Sequence, residues 1–408
     1  MDGYDIKLKA EDLVGLLTES DAMAQLLTNV VNQVLDAQCT EQLQAKPFER
    51  SDERQGYRNG YRTRTLYSRV GPLTLRVPQT RDGQFSTEIF KRYQRSEQAL
   101  VLSLMEMYLQ GVSTRKVTKI TEELCGASFS KSMVSQLCTR VDAVVGAWSG
   151  RSLREKRYPF LIVDALVVDV RRDHAIRSTG VLIVYGVNET GQREPLDMLV
   201  ADSETEASWS ELFKRRKDRG LKEVDLVVSD AHAGLVSALK KQFQGAQWQR
   251  CQVHFMRNVL GAASRHVRGE ISDRLKLIFM AEDIDTARKL ANDLIAEYEE
   301  KAPKPMDILE AGLDHALTIL AFPKQYRKKL RTTNLAERMN SEIRRRQRVV
   351  RIFPNEESAH RLIGALLNEF YEAWQQGNRY LDMTEYWDWR KENEELLGFK
   401  SNLVAIHS

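Results

Sequence analysis

Three apolar, β-branched runs stand close together in this chain, Phe160–Val170, Ala175–Val187 and Pro195–Val200, and any fold it adopts must house all three. Bounded by turn residues such as Asn188-Glu189-Thr190-Gly191, they read as strands. From residue 206 the pattern alternates: a helix at Glu206–Arg216, a strand at Val224–Ser229, a helix at Leu235–Phe243 and a short strand near Trp248–Val253. Three strands followed by alternating helix and strand predict a mixed α/β sheet. From His254 to Tyr326 the spacing is helical throughout, with helices predicted at Glu270–Phe279, Ile284–Tyr298 and Met306–Ile319. A basic helix from Asn334, another from Glu356 to Gln375, and an aromatic tail (Tyr386, Trp387, Trp389) complete the chain.

Parallel strands gather polar sites at their C-terminal edges. Asp164 ends the run Phe160-Leu161-Ile162-Val163, and Asp230 ends Leu226-Val227-Val228-Ser229. Glu337 follows Asp230 by 107 residues, in Thr332-Thr333-Asn334-Leu335-Ala336-Glu337-Arg338 at the head of the basic helix. Asn334 and Arg338 share roughly its face, with Ser341, Arg344 and Arg345 one to two turns on. A lone strand-end Asp is more often a turn or cap residue, with Asp169, Asp173 and Asp225 as local rivals, and an acid among arginines is commonly an exposed ion pair worth ~0–1 kcal/mol. The case rests on all three together. Oxygen ligands from separate elements are what a hydrated Mg²⁺ ion takes, and a pair of such ions can activate water and stabilise the leaving oxygen of a phosphodiester. The triad points to a nuclease or strand-transfer enzyme.

A net charge of +4 decides little, but its distribution does: Arg54 to Arg95 carries +8 and Arg331 to Arg351 carries +5. Two basic stretches in an otherwise acidic chain suit a polyanion such as double-stranded DNA. In the first, Gly56–Arg64 and Leu73–Val77 alternate in period two around Gly71-Pro72, which predicts a basic β-hairpin carrying Arg58, Arg62 and Arg64 beside tyrosines. Helical spacing precedes it over residues 10–45 (Leu13, Leu16, Leu17, Met23, Leu26, Leu27) and resumes after it. Gln98 to Gln110, Thr114 to Leu124 and a third helix capped by Ser130 predict a helix-turn-helix, with Lys131 near the start of the recognition helix. The bland alternatives are a solvated hairpin and an ordinary helical hairpin.

No run approaches the ~18 apolar residues of a membrane span, and Met1 to Leu17 lacks the apolar core of a secretory signal. Four scattered cysteines do not make a disulfide framework, which suits a reducing cytoplasm. Cys251-Gln252-Val253-His254 looks like half a zinc site, but structural zinc takes four ligands and no second pair has suitable spacing. His254 orienting a nearby carboxylate, or anchoring the helical segment, is the better reading.

With these residues in view, nearly the whole chain resembles the transposases of bacterial insertion sequences in the Mutator-like DDE superfamily. The resemblance is carried by Arg58-Asn59-Gly60-Tyr61-Arg62 through Val77-Pro78, Arg81-Asp82-Gly83-Gln84-Phe85, and Tyr108 with Gly111-Val112-Ser113-Thr114-Arg115. Its most specific parts are Ser229–Leu235, Gln249–His254 and Thr333–Arg338; Gln79 stands where a basic residue is expected. The resemblance implies a ribonuclease-H-like core interrupted by an all-helical insertion, with Asp164, Asp230 and Glu337 holding two Mg²⁺ ions (Mn²⁺ as a substitute) and Cys251, His254 and Asn334 in support. It implies DNA contact by Arg58, Arg62, Arg64, Arg81, Arg115, Lys131, Arg338, Arg344 and Arg345. It also implies binding of terminal inverted repeats and target DNA, a homodimer and a copy-out route through a circular intermediate. The organisation expected is 1–46 helical, 47–96 basic hairpin, 97–150 helix-turn-helix, 158–253 and 331–378 the two parts of the core, 254–330 the insertion and 379–408 a tail. A DNA-binding regulator that no longer cuts is the alternative. A hydrolase of small phosphoesters would leave both basic stretches unexplained.

Overall fold

A computed structural model of the chain describes residues 6–8, 22–50, 52–90, 98–110, 112, 114–125 and 141–393. It divides into two compact units, Met1–Arg140 and Val141–Ser408.

In the first unit, helix α1 (Ala22–Leu43) packs on an antiparallel ribbon of β1 (Arg58–Ser68) and β2 (Gly71–Thr80). Buried and exposed residues alternate along most of β2, so Leu73, Leu75 and Val77 meet Leu35, Leu66 and Phe90. Each such side chain contributes about 1.5–3 kcal/mol by leaving water. The expected turn is displaced: Arg69-Val70 makes it, while Gly71 and Pro72 pair with Ser68 and Tyr67 inside the ladder. Both strands of a two-stranded ribbon are edges, so the missing N–H of Pro72 costs no partner. Helices α2 (Gln98–Leu109) and α3 (Thr114–Cys125) match the first two of the predicted helix-turn-helix. Its third helix, residues 9–21 of the N-terminal helical stretch, Lys131 and the side chain of Arg115 lie outside the described residues.

The second unit opens with α4 (Val141–Gly150) and is built on a five-stranded mixed sheet. Its strands are β3 (Phe160–Arg172), β4 (Ala175–Val187), β5 (Arg193–Ala201), β6 (Leu226–Ser229) and β7 (Gln247–Arg250), in the order β5-β4-β3-β6-β7. β3, β4 and β5 are antiparallel, and β6 and β7 run parallel to β3. β7 stops before the expected Val253, because the last ladder bond is Cys251 N–H to Ser229 O (2.7 Å) and a helix starts at Gln252. β3 covers the expected run Phe160–Val170 and continues to Arg172, paired residue for residue with β4 through a two-residue turn at Asp173 and His174, both at positive φ, so Asp164 lies inside the strand and not at its end. Only Phe160–Ile162 pair with β6, so Asp164 lies two residues beyond the parallel ladder.

One face of the sheet packs Leu161, Val163, Leu182, Val184 and Leu196 against α5 (Glu206–Asp218) and α6 (Ala233–Gln242) through Trp209, Leu212, Phe213, Leu235 and Leu239. Thr205 starts α5 with a capping box closed by Ser208. Between β7 and the C-terminal helices stand α7 (Gln252–Ala262), α8 (Arg265–Phe279), α9 (Ile284–Tyr298), α10 (Pro303–Leu317) and α11 (Lys324–Leu330). The first four share a core of their own, including Phe255, Val259, Ile271, Leu275, Ala291, Leu294 and Leu309. Buried Gln249 of β7 ties this lobe to the sheet, donating to Ala316 O (2.9 Å) and accepting from Ile319 N (2.7 Å).

The other face of the sheet carries α12 (Asn334–Val350), α13 (Glu356–Gln376) and the short α14 (Thr384–Glu392). The aromatic tail is thus part of the core: Phe160 meets Phe322, Tyr326 and Tyr386 with ring centroids 6.3, 6.2 and 4.7 Å apart. Gly191, in the β4–β5 turn, accepts from Tyr380 N (2.8 Å) and Leu381 N (3.0 Å). Its φ is +83°, and a Cβ there would stand 1.8 Å from Leu381 O. Gly191→Ala should therefore destabilise the second unit by about 2 kcal/mol, read as a lower urea midpoint. No helix among the described residues is long and apolar enough to cross a membrane.

Candidate active site

Asp164 points from β3 toward α12. Its Oδ1 accepts from Ala165 N (3.0 Å), and its Oδ2 accepts from Asn340 Nδ2 (2.8 Å) across 176 residues of chain. Asn340 lies three residues after Glu337, on the same side of α12. Asp230 follows β6 directly and accepts from Ala231 N (2.7 Å). Its neighbour Ser229 is pinned by the Trp248 indole N–H (2.9 Å). Gly234 then lets α6 start against α5: a Cβ there would lie 2.7 Å from Glu206 N.

Glu337 lies one turn into α12, with Oε1 3.5 Å from His254 Nε2. His254 itself sits in the first turn of α7, and Cys251 joins α7 to α12: its Sγ accepts from both the N–H and the hydroxyl of Thr333 at 3.4 Å. Gln252 N donates to Arg331 O (3.0 Å) beside it. The CxxH segment is therefore a clamp across the ends of the helical lobe, with His254 turned to the carboxylate.

The three acids share one electrostatic field. Burial pushes the Asp164 carboxyl up to about 6; the Ala165 N–H and His254 work against this, and Glu337 and Asp230 add to it. His254 is raised to about 9, chiefly by its polar contact with Cys251 and despite burial, with Asp230 and Asp164 adding. The Cys251 thiol, raised by burial, ends lower than usual because His254 and Thr333 hydrogen-bond to it.

Three carboxylates on separate elements form a hard oxygen donor set suited to Mg²⁺, and a cation would relieve their crowding. Asn340 Oδ1, buried beside Asp164, finds no partner among the described residues. As the side chains stand, no three His, Cys, Asp or Glu among the described residues close on an ion. Asp164 is engaged by Asn340 and Glu337 by His254, so the donors fit Mg²⁺ in kind.

The chain matches the family described as "Transposase, Mutator family" over residues 5–377. The chain belongs to the Mutator family of transposases. It is 44% identical over 372 residues to the transposase for insertion sequence element IS256 in transposon Tn4001 of Staphylococcus aureus, covering 90% of this chain and 95% of that protein. It is also 44% identical over 376 residues to the transposase for ISRM5 of Rhizobium meliloti, covering 92% and 94%. To the transposase for IS1081 of Mycobacterium tuberculosis it is 35% identical over 364 residues, covering 89% and 88%. The transposase is thus an enzyme of DNA strand cleavage and transfer.

The predicted DNA contacts of the transposase fare unevenly. Arg62 and Arg81 are exposed on the ribbon unit. Arg58 is spent on structure, donating to Ala45 O (2.8 Å) and Thr40 Oγ1 (2.7 Å), and Arg64 stacks on Phe90 at 4.3 Å. On α12, Arg338, Arg344 and Arg345 are exposed, and Arg345 Nε donates to Glu342 (3.0 Å). Asn334 is exposed at the first position of α12. Sequence reasoning missed Asn340 and Thr333; the i+3 spacing of Asn340 from Glu337 was the available signal.

Proposed function

We propose that this transposase binds the terminal inverted repeats of an insertion sequence as a homodimer, acting on DNA in the cytoplasm. It cuts DNA strands with two Mg²⁺ ions and joins the freed 3′-OH to DNA by a copy-out route through a circular intermediate. The observation that carries the reading is the shared field of Asp164, Asp230 and Glu337 in a chain of this family. The order β5-β4-β3-β6-β7, followed by a helical lobe and then the Glu337 helix, supports a ribonuclease-H-like core with an insertion.

Asp164 would hold both ions, Asp230 one and Glu337 the other. Bound there, the metal lowers the pKa of an attacking water and offsets charge on the phosphodiester. The chain's own groups supply the setting. Asn340 and the Ala165 N–H orient Asp164, while His254, fixed in the Cys251 clamp, steers Glu337. Arg338, Arg344 and Arg345 offer positive charge to the DNA backbone beside the acids.

The test uses the purified full chain and duplexes bearing each end of its own element, with Mg²⁺, Mn²⁺ or chelator. A free 3′-OH at the element end, dependent on metal and absent from shuffled duplex, is expected. End-specific binding without cleavage in either metal would leave the DNA-binding regulator instead.

A further inference from the structure

The loop between α1 and β1 holds an aromatic ring that the fold does not use. Lys46-Pro47-Phe48-Glu49 is a tight turn, closed by Glu49 N to Lys46 O (3.2 Å) and by Lys46 N to Glu49 Oε2 (2.7 Å). Pro47 takes its second position and Phe48 its third, at φ +63°. That is the pattern of a type II turn, whose third residue is ordinarily glycine. A bulky residue is strained in the left-handed region. Burial offsets none of this: Phe48 is 101% exposed, against 73% for Met280, the next most exposed large apolar residue among those described.

The turn is anchored to a cationic stack. Arg54 donates from Nη1 to Glu49 O (2.9 Å) and from Nε to Gly56 O (2.9 Å), and its guanidinium stands 4.9 Å from the centroid of the Tyr57 ring. Arg81 approaches the same ring at 5.4 Å, its backbone N–H bonded to Tyr57 O (2.9 Å). On the other side of the turn, Ala45 O accepts from Arg58 Nη1 (2.8 Å). Phe48 is therefore held out on a fixed support. Asp52 and Glu53 share the loop, so its positive character comes from the guanidiniums at Tyr57.

A strained residue whose ring gains nothing from its own fold points to a use outside it. Two guanidiniums at one half-exposed ring favour a polyanion over an apolar protein surface. An apolar side chain presented beside arginines is the device by which proteins part and kink base steps.

We propose that Phe48 is a wedge that enters between base pairs of the duplex bound by this transposase, while the cations stacked on Tyr57 draw the DNA backbone to it. This rests on the reading that the chain binds the ends of its element.

The test uses the full chain and a duplex bearing one end of its own element, with 2-aminopurine placed at successive adenines so that an unstacked step brightens. Brightening at one step or two adjacent ones is expected with wild type and not with Phe48→Ala or Phe48→Gly. Both variants should bind about tenfold more weakly, the loss of one aromatic–base stack. Their salt dependence should match wild type, because no phosphate contact is removed. Phe48→Ala should melt with wild type, and Phe48→Gly, which relieves the strain, at or above it. Brightening and affinity unchanged in both variants overturn the wedge. So does a lower melting temperature in Phe48→Gly, which would give the ring a role in the fold. Weaker self-association of the variants without DNA, with brightening intact, would seat the ring on a second copy of the chain and overturn it too. Tight binding by wild type with no brightening at any position removes the wedge and leaves end binding standing. Failure of wild type to prefer the end over shuffled duplex removes the end-binding reading and the wedge with it.

Discussion

Asp164→Asn, Asp230→Asn and Glu337→Gln are each expected to lower Mg²⁺-dependent cleavage by about three orders of magnitude or more, with duplex binding retained. Each exchange keeps the shape of the side chain and removes one anionic oxygen donor. Asp164 offers a control that separates loss of chemistry from loss of fold. Its carboxyl titrates at about 6 in the folded chain, above its usual 3.8, because burial and the neighbouring acids penalise the charge. A carboxyl whose folded pKa is raised favours folding in its protonated form. Its ionisation therefore costs stability progressively from about pH 4 to pH 6, and the full cost stands at neutral pH. Asp164→Asn should accordingly melt no lower than wild type at pH 7 while cleavage disappears. An active Asp164→Asn, Asp230→Asn or Glu337→Gln would remove that residue from the triad. Inactivity accompanied by a large fall in melting temperature would leave Asp164 a merely structural group.

Asp225→Ala should cost about 3 kcal/mol of unfolding free energy, the lower end for breaking a buried ion pair. Asp225 immediately precedes β6, and its side chain is 2% exposed. It accepts from Tyr386 OH (2.7 Å) and from Arg390 Nε (2.7 Å) and Nη2 (2.9 Å), which docks α14 on the sheet. Removal of the carboxylate takes away three hydrogen bonds, one from the Tyr386 phenol and two from the Arg390 guanidinium. Arg390 is 18% exposed, so water recovers part of the loss. Urea denaturation of the full chain measures the total, and hydrogen exchange in α14 locates it. Asp225→Asn keeps acceptors for both donors and should lose less than half as much. A change below about 0.5 kcal/mol in Asp225→Ala would mean that α14 is held by its aromatic contacts alone.

Much of the sheet was legible because strand and helix periodicity are local properties. The runs at 160, 175 and 224, the helical stretch after His254 and the amphipathic helix from Asn334 all follow from spacing. Where the reading slipped, a pairing decided. Asp164 looked like an edge residue because it is the first acid to interrupt the apolar run Phe160–Val170, yet β4 pairs with β3 for eight more residues, to Arg172. The Gly71-Pro72 turn moved to Arg69-Val70 because the β1–β2 register, set by burial of Leu73, Leu75 and Val77 on α1, leaves only two residues unpaired. The fates of Arg58 and Arg64 depended on what folded beside them, and a basic residue in sequence carries no mark of whether its charge is spent.

By itself the sequence determined the kind of chemistry: three acids on separate elements, basic segments for a polyanion, and the motifs that place the chain among Mutator transposases. Their company was settled only by tertiary structure. Asp164 meets Asn340 across 176 residues, Cys251 meets Thr333 across 82, and Arg193 finds the rings of α13 and the segment after it. Such contacts depend on sheet pairing and helix packing between distant segments, whose closure entropy is repaid by burial elsewhere in the core. No local pattern encodes them, which is why the candidate acids could be named from the sequence and the residues packed against them could not.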